Sequence, residues 1–176
     1  MPAHHIDLSA IREAAGFLRA GDEVFLSGTV YTARDAAHKR IMALLEKGGD
    51  LPFPLADAVV YYAGPTPERP GTVIGSCGPT TSSRMDVYAP TLLDKGLAAM
   101  IGKGPRSAAV VDAIVRNGAL YFCAIGGAGA LAAKCITALT VIAFEDLGCE
   151  SVKRLTLREF PVYCGIDATG HSMFTR

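Results

Sequence analysis

Adjacent hydroxyls, an arginine and a carboxylate crowd into one small-residue stretch, Gly75-Ser76-Cys77-Gly78-Pro79-Thr80-Thr81-Ser82-Ser83-Arg84-Met85-Asp86. Glycine lets a ligand approach the backbone closely. Hydroxyls and exposed N–H groups donate hydrogen bonds, and the planar fork of Arg84 matches a carboxylate or a phosphate. The stretch therefore reads as a loop that holds a small anion. The plainer alternative is a turn in which Thr80 or Thr81 caps a short helix while Arg84 pairs with Asp86. Against it stands the density of polar groups in a chain that is 50% apolar and only 19% charged.

Three other stretches can contribute to such a site. In Ser27-Gly28-Thr29-Val30-Tyr31-Thr32-Ala33-Arg34-Asp35 a strand runs into a polar loop and then a helix, with Thr32 as a candidate cap. Helix N-termini favour anions, so Arg34 in the first turn is an odd choice for stability alone, and a bound carboxylate would explain it. His38 lies one turn on, on the same face. A solvated Arg34–Asp35 surface with a packed His38 explains the same residues. Ile101-Gly102-Lys103-Gly104-Pro105 presents a point charge between glycines after a strand, or is a simple β–α turn. It lacks the longer glycine loop of a phosphate-binding P-loop. Ile125-Gly126-Gly127-Ala128-Gly129-Ala130 is not a dinucleotide fingerprint and reads as a place of close packing.

These stretches need elements to position them. Leu8 to Leu18 should form a short helix on Ile11, Ala14, Ala15 and Leu18, followed by a strand from Glu23 to Gly28 and a loop at Thr29 to Thr32. Ala33 to Lys47 is a helix by its apolar face of Ala37, Ile41, Leu44 and Leu45, ended by Gly48-Gly49. Strands are expected at Ala58 to Tyr62, Thr72 to Ile74, Ala99 to Ile101 and Ala119 to Ile125, with helices at Thr91 to Ala98 and Ser107 to Asn117. Lys153 to Glu159 and Val162 to Ile166 follow as strands, and Ser172 to Phe174 as a hairpin return after the turn at Asp167 to Gly170. Strands alternate with helices through the middle and pair locally at the end, which is the pattern of an α/β fold with a mixed sheet.

The bulk properties narrow the function. The 176 residues suit one domain, 1–176, with a real core, and show neither internal repeats nor a linker. Seventeen basic residues balance 17 acidic ones, and tryptophan is absent, which argues against a nucleic-acid surface. The longest uncharged run, Asn117 to Ala133, is short for a membrane span and carries four glycines. No basic segment precedes an apolar block at the N-terminus, so export is not expected. Cysteines at 77, 123, 135, 149 and 164 form no CxxC pair and fit neither a zinc site nor self-contained iron–sulfur ligation. The odd count fits reduced thiols in a cytoplasm.

At these motifs the chain resembles the β subunit, or C-terminal domain, of the iron–sulfur class I fumarases and the related L(+)-tartrate dehydratases. The resemblance rests on Gly78 to Asp86, with Ser27-Gly28, Thr32 to His38, Ile101 to Gly104, Ile125 to Ala128 and Glu159-Phe160-Pro161 in support, and spans about residues 20 to 175. It implies a swivelling β/β/α three-layer domain that closes over an α subunit in an α2β2 assembly. The α subunit would ligate a [4Fe–4S] cluster, so no metal ligand is expected in this chain; Cys77 stands where the family carries a small residue. By the same resemblance Arg34 and Arg84, with Gly78 and Thr81, would bind a C4 dicarboxylate. Lys103 would add charge near a carboxylate or the developing aci-carboxylate, and Thr80 would transfer the proton at carbon. His38 would orient Arg34 or the loop, and Asp35 and Asp86 would hold the arginines. The implied reaction interconverts fumarate and (S)-malate, with tartrate dehydration to oxaloacetate and methyl-substituted relatives such as mesaconate as alternatives. A non-enzymatic dicarboxylate-binding scaffold is the reading from a different class.

Overall fold

The computed structural model describes residues 3–124 and 129–175. In chain order the elements are β1 (Ala3–Asp7), α1 (Ile11–Ala14), β2 (Glu23–Thr32), α2 (Asp35–Lys47), β3 (Val59–Tyr61), α3 (Ala89–Asp94), β4 (Ala99–Gly102), α4 (Ala108–Asn117), β5 (Leu120–Ala124), α5 (Gly129–Ala133), β6 (Ile136–Ala143) and β7 (Val152–Ile166). Short 3-10 turns sit at Leu8–Ala10, Ser82–Met85 and Glu145–Glu150.

One mixed seven-stranded sheet runs in the order β1-β2-β3-β4-β5-β7-β6. Strands β1 to β5 are mutually parallel, and β7 runs antiparallel to β5, β6 and β2. The β2–β7 pairing closes β2, β3, β4, β5 and β7 into a circuit. A single strand makes this possible because β7 is 15 residues long and bends. Leu26 pairs with Phe160 but Gly28 pairs with Leu157, so Ser27 faces a bulge that holds Arg158 and Glu159. Glu159 takes φ +50° there, and its N–H donates to Ser27 Oγ at 3.0 Å. The Ser27-Gly28 and Glu159-Phe160 motifs thus meet as a structural corner, about 16 Å before the end of β2 at strand rise.

Alternating side chains feed two apolar layers. Val59, Tyr61, Ala99, Ile101, Leu120 and Phe122 face inward, toward Val24, Leu26, Leu155 and Phe160. Val60, Tyr62, Met100 and Tyr121 face the other way, against Ala37 and Ile41 of α2, Leu92 and Leu93 of α3, and Val110 and Ile114 of α4. Burial on both faces is why β3, β4 and β5 read as unbroken apolar runs. Ser107 caps α4 by accepting from Val110 N–H, and Gly48 ends α2 in the left-handed conformation at φ 66°.

Several expectations change. Thr29 to Thr32 is no loop but the second half of β2, held by Leu155 and Arg154 across the ladder. Thr72 to Ile74 is not a strand; its turn is closed by Arg69 and Thr72 instead. The Ser172 to Phe174 return amounts to one bridge, Ile166 to Ser172. The helix expected at Thr91 to Ala98 is displaced to Ala89–Asp94. Strands β1 and β6 were not expected at all: β1 buries Ile6 alone and β6 buries Ile136 alone, so neither carries a strong alternating pattern.

Gly102, the last residue of β4, has no room for a side chain. A Cβ there would overlap Ser82 Oγ and approach Tyr62 Cδ2 to 2.8 Å. Ser82 cannot retreat, because its Oγ accepts from Lys103 N–H at 3.0 Å and lies 2.7 Å from the Tyr121 hydroxyl. Gly102→Ala should destabilise the chain by about 1–3 kcal/mol. Urea unfolding checks this, and an unchanged midpoint would show that the crossing is loose.

Candidate active site

In parallel sheets, sites form where the loops leave the C-terminal ends of the strands. Here β2, β3 and β4 finish side by side, with Thr32 opposite Tyr61 and Tyr61 opposite Ile101. Arg34 and Asp35 follow the end of β2. Lys103 follows the end of β4. Between them the chain returns from the long 64–79 connection: Thr80 N–H donates to the Tyr62 carbonyl at 2.7 Å, and Thr81 forms a parallel bridge with Lys103. Ser82 N–H donates to the Lys103 carbonyl at 3.0 Å, and Lys103 N–H returns a bond to Ser82 Oγ. The backbone thus inserts Thr80 to Arg84 between the ends of β3 and β4 with almost no freedom of register.

The side chains follow. Arg84, on the 3-10 turn, donates from Nη2 to Thr80 Oγ1 at 2.5 Å, and its Nη1 lies 3.7 Å from Asp35 Oδ2. Arg34 occupies the N-cap position of α2 and lies against Gly64, where a Cβ would come within 2.9 Å of its Cδ. Its Nε is buried and has no hydrogen-bond partner among the described residues; their nearest carboxylate, Glu150, is 4.0 Å away. A buried donor without a partner is unfavourable unless something else supplies the acceptor. His38 is buried on the inner face of α2, stacked on Tyr88 and edge-on to Tyr62, both at 5.5 Å. Its Nδ1 lies 2.9 Å from the Arg34 carbonyl and is assigned as the protonated nitrogen that donates to it. Gly78 packs on Gly129, whose carbonyl accepts from Cys77 N–H at 3.1 Å. Close packing is therefore the role of Gly129; residues 125–128 of the same glycine-rich stretch lie outside the described residues.

Arg34, Asp35, Thr80, Thr81, Arg84 and Lys103 therefore lie along one edge of the sheet. Two expectations need correction. Thr32 does not cap α2: its Oγ1 accepts from Lys153 N–H at 3.1 Å, because β2 continues through it. Asp86 holds neither Arg34 nor Arg84. It pairs with Arg106, Nε to Oδ1 at 2.6 Å, and accepts from Ser107 N–H with its other oxygen at 2.7 Å. Arg106 was not among the sequence candidates, since an arginine after Gly-Pro in a turn ordinarily faces water, whereas this side chain is 0% exposed. Lys153 was also missed. It is a buried ammonium whose Nζ donates to the carbonyls of Gly148, Cys149 and Ser151 and to Ser151 Oγ. The Cys149 carbonyl it gathers sits beside Gly64 and the Arg34 guanidinium.

Residues 2–176 match the family described as Fumarase C-terminus. The chain belongs to that family, the β-type domain of class I fumarate hydratases. Fumarate hydratase 2 of Leishmania major is 35% identical over 171 residues, which are 96% of this chain and 30% of that protein. The anaerobic class I fumarate hydratase of Escherichia coli K12 is 38% identical over 151 residues, 85% of this chain and 28% of that enzyme. A putative L(+)-tartrate dehydratase subunit beta of Methanocaldococcus jannaschii is 35% identical over 163 residues, 89% of this chain and 84% of that protein. The fumarase-type domain thus spans under a third of the fumarate hydratases it matches, and most of the subunit beta. Its family is one of hydro-lyases.

Three of the five cysteines of this fumarase-type domain are poor ligands for iron. Cys77, Cys123 and Cys164 are buried, and burial pushes the Cys77 and Cys164 thiols up to about 12 and Cys123 to about 11, away from the thiolate that iron requires. No group of three or more His, Cys, Asp or Glu residues among the described residues could hold a metal ion. No described helix is long and apolar enough to cross a membrane.

Burial lowers the His38 imidazole to about 4 from its usual 6.5. The unfolded chain takes up a proton near 6.5 while the folded chain resists until about 4. Stability is therefore complete above 6.5 and falls as the pH drops through that window, by about 3 kcal/mol. Urea midpoints measured from pH 7 to pH 4 should show this decline, and His38→Asn should remove its share. Equal declines in both proteins would show that the imidazole is not buried in its neutral form.

Proposed function

We propose that this chain is the β subunit of a hydro-lyase for C4 dicarboxylates, interconverting fumarate and (S)-malate in a site shared with an α subunit. The observation that carries the reading is the Arg84–Thr80 hydrogen bond on the same sheet edge as Arg34, whose buried Nε has no partner among the described residues. Arg34 and Arg84 each offer a fork to one substrate carboxylate. Lys103 adds a flexible point charge to the same edge of the sheet. Proton removal beside a carboxylate loads negative charge onto that carboxylate, and fixed cations next to it stabilise the transition state more than the ground state.

Thr80 is the group we place at the reacting carbon. A threonine hydroxyl is a weak base unaided. The bond it accepts from the Arg84 guanidinium favours its deprotonated form, since a donor to the charged state lowers the pKa. Thr80 Oγ would then take the proton from the carbon next to a carboxylate during dehydration and return it during hydration. Asp35, within reach of Arg84, limits where that guanidinium can swing. On this reading a [4Fe–4S] cluster is carried by the α subunit, in an α2β2 assembly within a reducing cytoplasm.

Tartrate is the second reading. The match to a separate subunit beta over most of its length favours the two-subunit organisation, and that relative's name is tartrate dehydratase. The same arginines serve either substrate. Anaerobic assay of this chain with its α partner on (S)-malate and L(+)-tartrate tests the proposal. Faster malate turnover is expected. A tartrate preference would select the second reading, and binding of dicarboxylates without turnover would make the chain a scaffold.

Within the assembled enzyme, Arg84→Ala should lower kcat/KM by about a hundredfold or more while the fold survives. Near-normal turnover would remove Arg84 from the site. Thr80→Ala should lower kcat far more than it weakens dicarboxylate binding, and equal loss of both would assign it to positioning instead.

A further inference from the structure

We propose that Arg106 is the positioning residue of this site: its buried guanidinium sets the relative placement of the three segments that carry Arg34, the Thr80–Arg84 pair and Lys103. The inference rests on the hydro-lyase reading only for its kinetic readout. The geometry stands by itself.

The contacts of Arg106 tie together stretches of chain that are distant in sequence. Nε binds Asp86 at 2.6 Å, two residues beyond Arg84. The second Asp86 oxygen accepts from the Ser107 N–H at 2.7 Å, so the carboxylate grips both the side chain and the backbone of the 104–107 turn. Nη2 donates to the Tyr62 hydroxyl at 3.2 Å, and Nη1 reaches Met100 Sδ at 3.5 Å. The guanidinium lies over two rings, 5.2 Å from the Tyr62 centroid and 4.8 Å from that of Tyr121.

Those rings pass the constraint on. The Tyr62 ring packs at a steep angle against His38, which holds the Arg34 carbonyl, and the Tyr62 carbonyl accepts from Thr80 N–H. The Tyr121 hydroxyl lies 2.7 Å from Ser82 Oγ and 2.8 Å from the Gly104 carbonyl oxygen, on either side of Lys103. Arg106 thus sits beneath the site and touches none of the residues proposed to meet substrate. A lysine keeps the charge but loses the planar fork that serves Asp86 and Tyr62 together, and it cannot lie flat between two rings.

The test separates positioning from mere stability. Removing one partner of a buried ion pair unfolds many proteins, whereas replacing both by apolar residues is often tolerated. The variant is therefore Arg106→Met with Asp86→Leu, made in the full chain and assembled with its α partner. Its urea midpoint should stay near that of the wild type. Its kcat/KM for (S)-malate or L(+)-tartrate should fall tenfold or more, with KM rising as the carboxylate-binding groups lose their registry. A folded double variant with wild-type kcat/KM would overturn the inference. Where the double variant does not fold, Arg106→Lys takes its place, with a fall of at least tenfold expected and wild-type kinetics overturning the proposal.

Hydrogen exchange gives a second, turnover-free readout on whichever variant folds. The Thr80 and Lys103 amides, which touch neither Arg106 nor Asp86, should exchange at least tenfold faster, while the amides of β4 and β5 keep their protection. Unchanged exchange at both would overturn the inference. A wild-type assembly inactive on both substrates would instead defeat the hydro-lyase reading, and exchange alone would then decide the role of Arg106.

Discussion

A guanidinium cannot shed its proton to escape burial, so a buried arginine imposes terms on everything around it. Arg106 is fully enclosed, and its surroundings must supply a carboxylate, a hydroxyl and two ring faces in fixed directions. Those demands fall on Asp86, Tyr62 and Tyr121, which belong to three different stretches of chain. Buried ion pairs are weak evidence of net stability, because desolvation offsets much of the attraction. What this one contributes is geometry: the loop of Thr80 and Arg84 cannot shift along the ends of β3 and β4 without parting Arg106 from Asp86.

The charges above that layer are matched less completely. Arg106 has a close carboxylate, while Arg84 has Asp35 at 3.7 Å and Arg34 has Glu150 at 4.0 Å. The site therefore keeps cations with unused hydrogen-bonding capacity at the place where a dianion would arrive. The buried Lys153 shows the opposite arrangement. Its ammonium is surrounded by carbonyl oxygens and serves to shape the 148–151 backbone beside Arg34. One buried cation organises each flank of the site, and the partly exposed ones remain available to a ligand.

Much of this was legible from residue types. Strands β3 to β5 were readable because burial on both faces leaves unbroken apolar runs, and α2 and α4 because their apolar faces keep helical spacing. The Thr80–Arg84 loop stood out because so many polar groups in an apolar chain require a reason. Strands β1 and β6 were not legible: each buries one residue, and what makes them strands is a neighbour distant in sequence. Asp86 was assigned to the wrong arginine for a related cause. Sequence offers Arg84 two residues away, whereas the fold brings Arg106 across from the β4–α4 turn. Buried cations such as Arg106 and Lys153 are hidden in sequence because the default location of either residue is the surface.

The most direct test of the account is the anaerobic crystal structure of this chain assembled with its α partner and a bound C4 dicarboxylate. One carboxylate should accept from Arg34, including the buried Nε that has no partner among the described residues, and the other from Arg84, with Thr80 Oγ facing the carbon between them. A dicarboxylate bound elsewhere, with Arg34 Nε still unpartnered and Thr80 turned from the ligand, would contradict the site as assigned.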